Sequence, residues 1–160
     1  MTEHALLRRI RWTTALFILG LVLSGVTAIP LIPELDWLLS LSGKDGPLLS
    51  WVAEVRDALV LTDAAYPYLA YGTDWLAFGH FVIALAFVGA WRDPVRNIWL
   101  FEFGMIACVL VLPYALAFGE LRDIPLAWRG IDSLFGILGI LPLWYSHRLT
   151  RQLEQARRNP

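Results

Sequence analysis

The chain has 160 residues, 58 % of them hydrophobic and 17 % charged, with a formal net charge of −1 and a mean hydropathy of +0.57. Charged residues make up about 25 % of an ordinary soluble domain, so this balance excludes one. With so little net charge and no basic, aromatic-interleaved surface, nucleic acid is excluded as a partner. Cys108 is the one cysteine; it allows no intramolecular disulfide and no Cys/His metal spacing, so no cofactor is expected and Cys108 packs as a small hydrophobe.

In chain order, Arg8, Arg9 and Arg11 precede an apolar run from Trp12 to Ile29. The run exceeds the roughly 7–15 residues of a signal-peptide core, and Ala28-Ile29-Pro30-Leu31 is a poor cleavage pattern, so it reads as a retained spanning helix. Pro30 and Pro33 end it. Gly46-Pro47 starts another helix, with Pro in a tolerated first-turn position. There Leu48, Val52, Val55 and Leu59 recur at helical spacing while Glu54, Arg56 and Asp57 face elsewhere. This is an amphipathic helix lying on the membrane surface or capping the bundle, a structural lid more readily than a substrate gate.

The second span is Tyr68–Trp91. A tight turn follows, in which Asp93-Pro94 initiates and Asp93 caps the next helix. The third span, Asn97–Gly119, contains Pro113, which is expected to kink it. The fourth, Ile131–Ser146, falls short of the roughly 20 residues needed to cross a bilayer and is extended by its flanks. The fold class is therefore all-α: a polytopic membrane protein, a four-transmembrane-helix bundle in one integral membrane domain over residues 1–160, with an amphipathic helix in the first outer segment.

Basic residues set the orientation. Arg8, Arg9, Arg11, Arg92, Arg96, Arg148, Arg151, Arg157 and Arg158 all fall on one side of a four-span chain. Lys44, Arg56, Arg122 and Arg129 fall on the other, among more numerous acids. Both termini are thus expected to be cytoplasmic, in a bacterial inner (cytoplasmic) membrane.

Four ionisable residues lie within or at the edge of these spans: Asp74, His80, Glu102 and Asp132. An aspartate at a helix centre costs roughly 2.5–3.5 kcal/mol to insert. At 1.5 Å rise per residue, His80 and Glu102 lie at similar height above the inner turn, roughly 13–17 Å. A His80–Glu102 contact is feasible, either sharing a proton or acting as a polar clasp between helices. Asp74 lies nearer the outer face, and Asp132 opens the fourth helix with Arg129 one turn earlier to neutralise one of the two. Tyr71 and Tyr114 add hydroxyls. The expected site is a cleft with Glu102, Asp74 and His80 as catalytic candidates and Asp132, Arg129, Tyr71 and Tyr114 as ligand contacts. Asp132, Gly136, Gly139 and Leu143 share one face of the fourth helix, a pattern that reads as a helix–helix seam more readily than a ligand groove.

The stretch Ala86–Arg122, AFVGAWRDPVRNIWLFEFGMIACVLVLPYALAFGELR, together with the four-span plan and its long outer segment, resembles the superfamily of emopamil-binding proteins and the sigma-2 receptor. The resemblance implies that acids inside the bundle bind a cationic amphiphile or protonate a sterol-like double bond, with Asp74 in the place of the second-helix acid. His80 departs from that pattern, standing where those proteins carry an apolar residue.

Three functions compete. The first is a site for a small hydrophobic or lipid-like molecule, with or without isomerase-like proton transfer. The second is a non-catalytic accessory subunit of a larger membrane complex. The third is a proton or small-ion path along Asp74, His80 and Glu102, which in so small a chain needs a homo-oligomer. All three place the protein in a lipid bilayer.

Overall fold

The computed structural model describes residues 2–42 and 45–158; Lys44 lies outside the described residues. These residues form six α-helices, α1 (Glu3–Thr27), α2 (Leu31–Ser42), α3 (Pro47–Ala65), α4 (Tyr71–Arg92), α5 (Ile98–Leu121) and α6 (Leu126–Arg158), with a 3₁₀ turn, Pro67–Ala70, leading into α4. No strand occurs among them. Four helical segments, Glu3–Thr27, Pro67–Arg92, Ile98–Leu121 and Leu126–Arg158, are long and apolar enough to cross a membrane. The protein is an all-α membrane protein with four candidate spans. It divides into two compact units, Met1–Gly20 with Ile83–Pro160, and Leu21–Val82.

The first unit is a four-helix bundle. Apolar side chains provide little drive for helix association in lipid, because the lipid tails are equally apolar; close packing of small residues and interhelical hydrogen bonds take over. Both devices are present. An added Cβ at Gly136 of α6 would fall on the carbonyl of Cys108 in α5. One at Gly104 of α5 would meet Leu143 Cδ1 at 2.8 Å and Phe87 Cζ at 2.9 Å, and one at Gly139 would meet Cys108 Sγ at 3.1 Å. The seam expected along Gly136, Gly139 and Leu143 is therefore formed, and it closes on α5. Phe87 links it onward: its ring lies 4.8 Å from Phe17 of α1 and 6.5 Å from Phe101 of α5, centroid to centroid.

Hydrogen bonds tie α1 to α6. The hydroxyls of Thr13 and Ser146 lie 2.6 Å apart. Arg157 Nε donates to Glu3 Oε1 at 2.8 Å. At roughly 1.5 Å per residue, α6 is far longer than the roughly 30 Å of hydrocarbon. The extension expected beyond Ile131–Ser146 takes in both flanks, from Leu126 to Arg158, and Leu149, Thr150 and Leu153 remain buried along it. The extra turns are held by packing rather than by apolar sequence.

The turn between α4 and α5 is fixed by Asn97, whose amide donates to the carbonyls of Gly89 at 3.1 Å and Asp93 at 2.9 Å. Asn97, not Asp93, is the N-cap residue of α5; the Asp93 carboxylate accepts from the Arg96 backbone N–H at 3.2 Å. At its other end α5 closes in a Schellman turn. Ile124 N–H donates to Gly119 O, and Asp123, at φ 53°, donates to Glu120 O. That left-handed position usually takes glycine.

In the second unit, α2 was not anticipated: Pro30 and Pro33 were expected only to end α1. Pro33 instead falls in the first turn of α2, where its missing N–H costs nothing. The α3 expectation holds, with Pro47 at its start and Val52 buried. Arg56 of α3 donates to Asp36 of α2 at 2.7 Å and to Asp57 at 3.1 Å. Hydrogen bonding to Asp36, and then to Asp57, holds the guanidinium pKa above its ordinary value, so this link stays charged across the physiological range. Within the same unit Gly25 of α1 lies under the Phe81 ring of α4, whose Cε1 is 2.6 Å from where a Cβ would stand.

The seam yields a paired prediction. Gly136→Ala should cost about 1–3 kcal/mol, because its methyl meets rigid backbone. Gly130→Ala, on the same helix with nothing within 4 Å, should be neutral or gain up to about 1 kcal/mol from helix propensity. Unfolding in detergent, followed by circular dichroism, measures both.

Candidate functional site

The seven residues singled out from the sequence occupy three local settings. Glu102 sits near the start of α5. Its carboxylate accepts from Nε2 of His147 in α6 at 3.0 Å, with about half of the Glu102 side chain exposed. The histidine anticipated for this role was His80. The structure supplies His147 instead, from the part of α6 beyond Ser146. The Glu102–His147 pair bridges α5 and α6 at the end of the bundle that carries Arg148 and Arg151, and it acts as a clasp.

Asp74, Tyr71 and His80 all lie on α4. Tyr71 and Asp74 share a shallow surface with Trp75 and Phe78, and the Tyr71 and Trp75 rings stack edge to face at 5.8 Å. Asp74 is exposed, and no hydrogen bond or ion pair holds it among the described residues. His80 Nδ1 bonds to the carbonyl of Leu76 in its own helix at 2.8 Å. A carbonyl only accepts, so Nδ1 donates in this bond.

The third setting is the corner between α5 and α6. Arg129 was expected beside Asp74 or Asp132. Instead it pairs with Glu120, and its Nε donates to the Ile124 carbonyl at 2.6 Å. Its stem covers Gly119: an added Cβ there would stand 2.7 Å from both Cγ and Cδ of Arg129. Only 14 % of the Arg129 side chain is exposed, against 75 % for Glu120. The arginine is thus a brace for the corner, holding an otherwise open carbonyl of the Schellman turn.

Consuming Arg129 in this way leaves Asp132 single. Asp132 faces a groove of about 630 Å³ between α5 and α6. Tyr114, Phe118, Leu110, Val111 and Ala107 form its α5 wall, and Gly119, Arg122 and Ile124 close it at the corner. No hydrogen bond or ion pair holds Asp132 among the described residues. Of the expected ligand contacts, Asp132 and Tyr114 are brought together here, and Arg129 braces the end wall without lining it. Arg122 was missed as a lining residue, since from the sequence it counted only toward topology. The groove can therefore offer a carboxylate, a guanidinium and a phenol at one end of a long apolar surface. Among the described residues no group of three or more His, Cys, Asp or Glu side chains is placed to hold a metal ion.

The brace has a separable energetic signature. Arg129→Ala should destabilise the protein by about 1–3 kcal/mol, because it opens the Ile124 carbonyl and uncovers Gly119. Glu120→Gln should change stability by less than about 1 kcal/mol, as befits an exposed ion pair. Thermal unfolding in a neutral detergent distinguishes the two.

No family model matches the chain, and neither a curated protein nor a solved structure matches it.

Proposed function

We propose that this membrane protein binds a lipid-like amphiphile bearing a cationic amine in the α5–α6 groove, with Asp132 as the counter-ion. The observation that carries the reading is the one carboxylate of a largely apolar groove of amphiphile size, held by no ion pair although Arg122 lines the same groove. An unpaired acid among apolar side chains is costly and gains most from a cationic partner. Small-molecule sites share this form, an apolar surface with a few polar groups that fix orientation. Tyr114 would hydrogen-bond the head of the ligand, and Phe118, Leu110 and Ala107 would take its chain. The resemblance to the emopamil-binding superfamily points to the same ligand class, with Asp132 rather than Asp74 as the acid.

The reading is one of binding. No proton donor or acceptor pairs with Asp132 among the described residues, so no reaction step is assigned to it, and Glu102, Asp74 and His80 carry no catalytic role in it. The chain is placed in a cytoplasmic membrane with both termini inside, in keeping with the distribution of its arginines.

A fluorescent long-chain alkylamine titrated into the purified protein tests the reading. Asp132→Asn should weaken its binding at least about tenfold, the loss expected for a hydrogen bond to a charged group. The neutral alcohol of the same chain length should bind the variant and the parent alike. An unchanged amine affinity in Asp132→Asn contradicts the proposal.

A further inference from the structure

A second groove, of about 380 Å³, lies along the start of α1 in the same four-helix unit. His4, Arg8, Arg11, Trp12 and Ala15 line it, together with Trp91 at the end of α4. His4, Arg8, Arg11 and Ala15 recur every three or four residues and so share one face, with Trp12 beside Arg11 at its edge. The neighbouring charges are engaged elsewhere: Glu3 accepts from Arg157, and Arg9 turns to the Tyr145 hydroxyl. Among the described residues no carboxylate pairs with His4, Arg8 or Arg11. The Arg11 guanidinium lies over the Trp91 ring, 5.6 Å from its centroid. Two guanidiniums and an imidazole thus converge on apolar walls, without a counter-ion.

We propose that this groove binds an anionic phospholipid. The phosphate sits between Arg8 and Arg11, and the glycerol and upper acyl chains lie against Trp12, Ala15 and Trp91. Charge complementarity favours an anion, because two guanidiniums line one groove that no carboxylate among the described residues enters. The walls require a tail, since Trp12 is 74 % exposed and Trp91 39 %, and a free phosphate would cover neither indole. Basic pockets on membrane helices recognise anionic headgroups in this way. The site is separate from the amine-binding groove and takes a ligand of opposite charge. Arg148 over Trp144, at 5.7 Å, provides the comparison: the same cation–ring stack, outside this groove.

Native mass spectrometry of the full chain in neutral detergent tests this, with phosphatidylglycerol, phosphatidylcholine and inorganic phosphate as probes. Phosphatidylglycerol should be retained in preference to phosphatidylcholine, and phosphate should not displace it. The double variant Arg8→Gln/Arg11→Gln should bind it about 25-fold more weakly, at roughly fivefold per guanidinium. Arg96→Gln/Arg148→Gln, which removes the same charge, should leave binding within about twofold of the parent. Ala15→Phe fills the groove but keeps every charge; it should also weaken binding, so a folding defect in the arginine variant cannot decide the matter. Equal losses in the two arginine pairs, equal retention of phosphatidylcholine, displacement by phosphate, or unaltered binding in Ala15→Phe would each overturn the proposal.

Discussion

The contact on which the four-helix unit depends is the one between the backbone of α5 at Cys108 and the glycine face of α6. In a bilayer, helices gain little by hiding apolar surface, because lipid is as apolar as the partner. What they gain is close approach, and Gly136 admits the Cys108 carbonyl where any side chain would stand in its way. Gly104 and Gly139 extend the same contact in both directions, onto Leu143 and the Cys108 thiol. Val111, one turn beyond Cys108, touches the Gly136 position at 3.4 Å and also lines the groove. Asp132 stands one turn before Gly136, so the seam that brings the helices together also sets the acid against the α5 wall.

Around this contact the charges are sorted by local geometry. Glu102 is held by His147, Glu120 by Arg129, and in the other unit Asp36 by Arg56. These exposed pairs contribute little stability apiece. Their larger consequence is that they leave particular groups unmatched. Arg129, engaged at the corner, cannot serve Asp132. Glu3, engaged with Arg157, cannot serve Arg8 or Arg11. Two grooves with apolar walls result, one presenting the unpaired Asp132 with Arg122 at the corner, the other Arg8 and Arg11 without a carboxylate.

The spans were legible because hydrocarbon thickness imposes a length that apolar runs reveal directly. Their ends were not. The last turns of α6 carry Arg148, Arg151 and Arg157, and the burial of Leu149 and Leu153, with the Arg157–Glu3 hydrogen bond, holds them against the bundle. Apolar spacing also gives no sign that His147, just past Ser146, meets Glu102. α2 was hidden because Pro33 looks like a terminator, whereas the first turn of a helix tolerates it. The glycine seam was legible from spacing alone. The α5–α6 groove was not: it depends on how each helix is rotated and on a corner arginine whose hydrogen bonds follow from a left-handed residue at Asp123. Spacing placed Asp132 on the seam face, and the corner decided that it would be left unpaired.

The α5–α6 seam can be tested covalently. Cys108 is the chain's one cysteine, and its sulfur lies 3.1 Å from where a Cβ at position 139 would stand, close to the Cβ-to-distal-sulfur separation that disulfide geometry requires. Gly139→Cys should therefore close an intramolecular bond to Cys108 under mild oxidation, seen as the loss of two hydrogens in the intact mass and of reactivity toward maleimide. Gly130→Cys, which faces open space, should keep both thiols. If Gly139→Cys retains two free thiols, or forms only bonds between chains, the helices do not meet at this seam and the account fails.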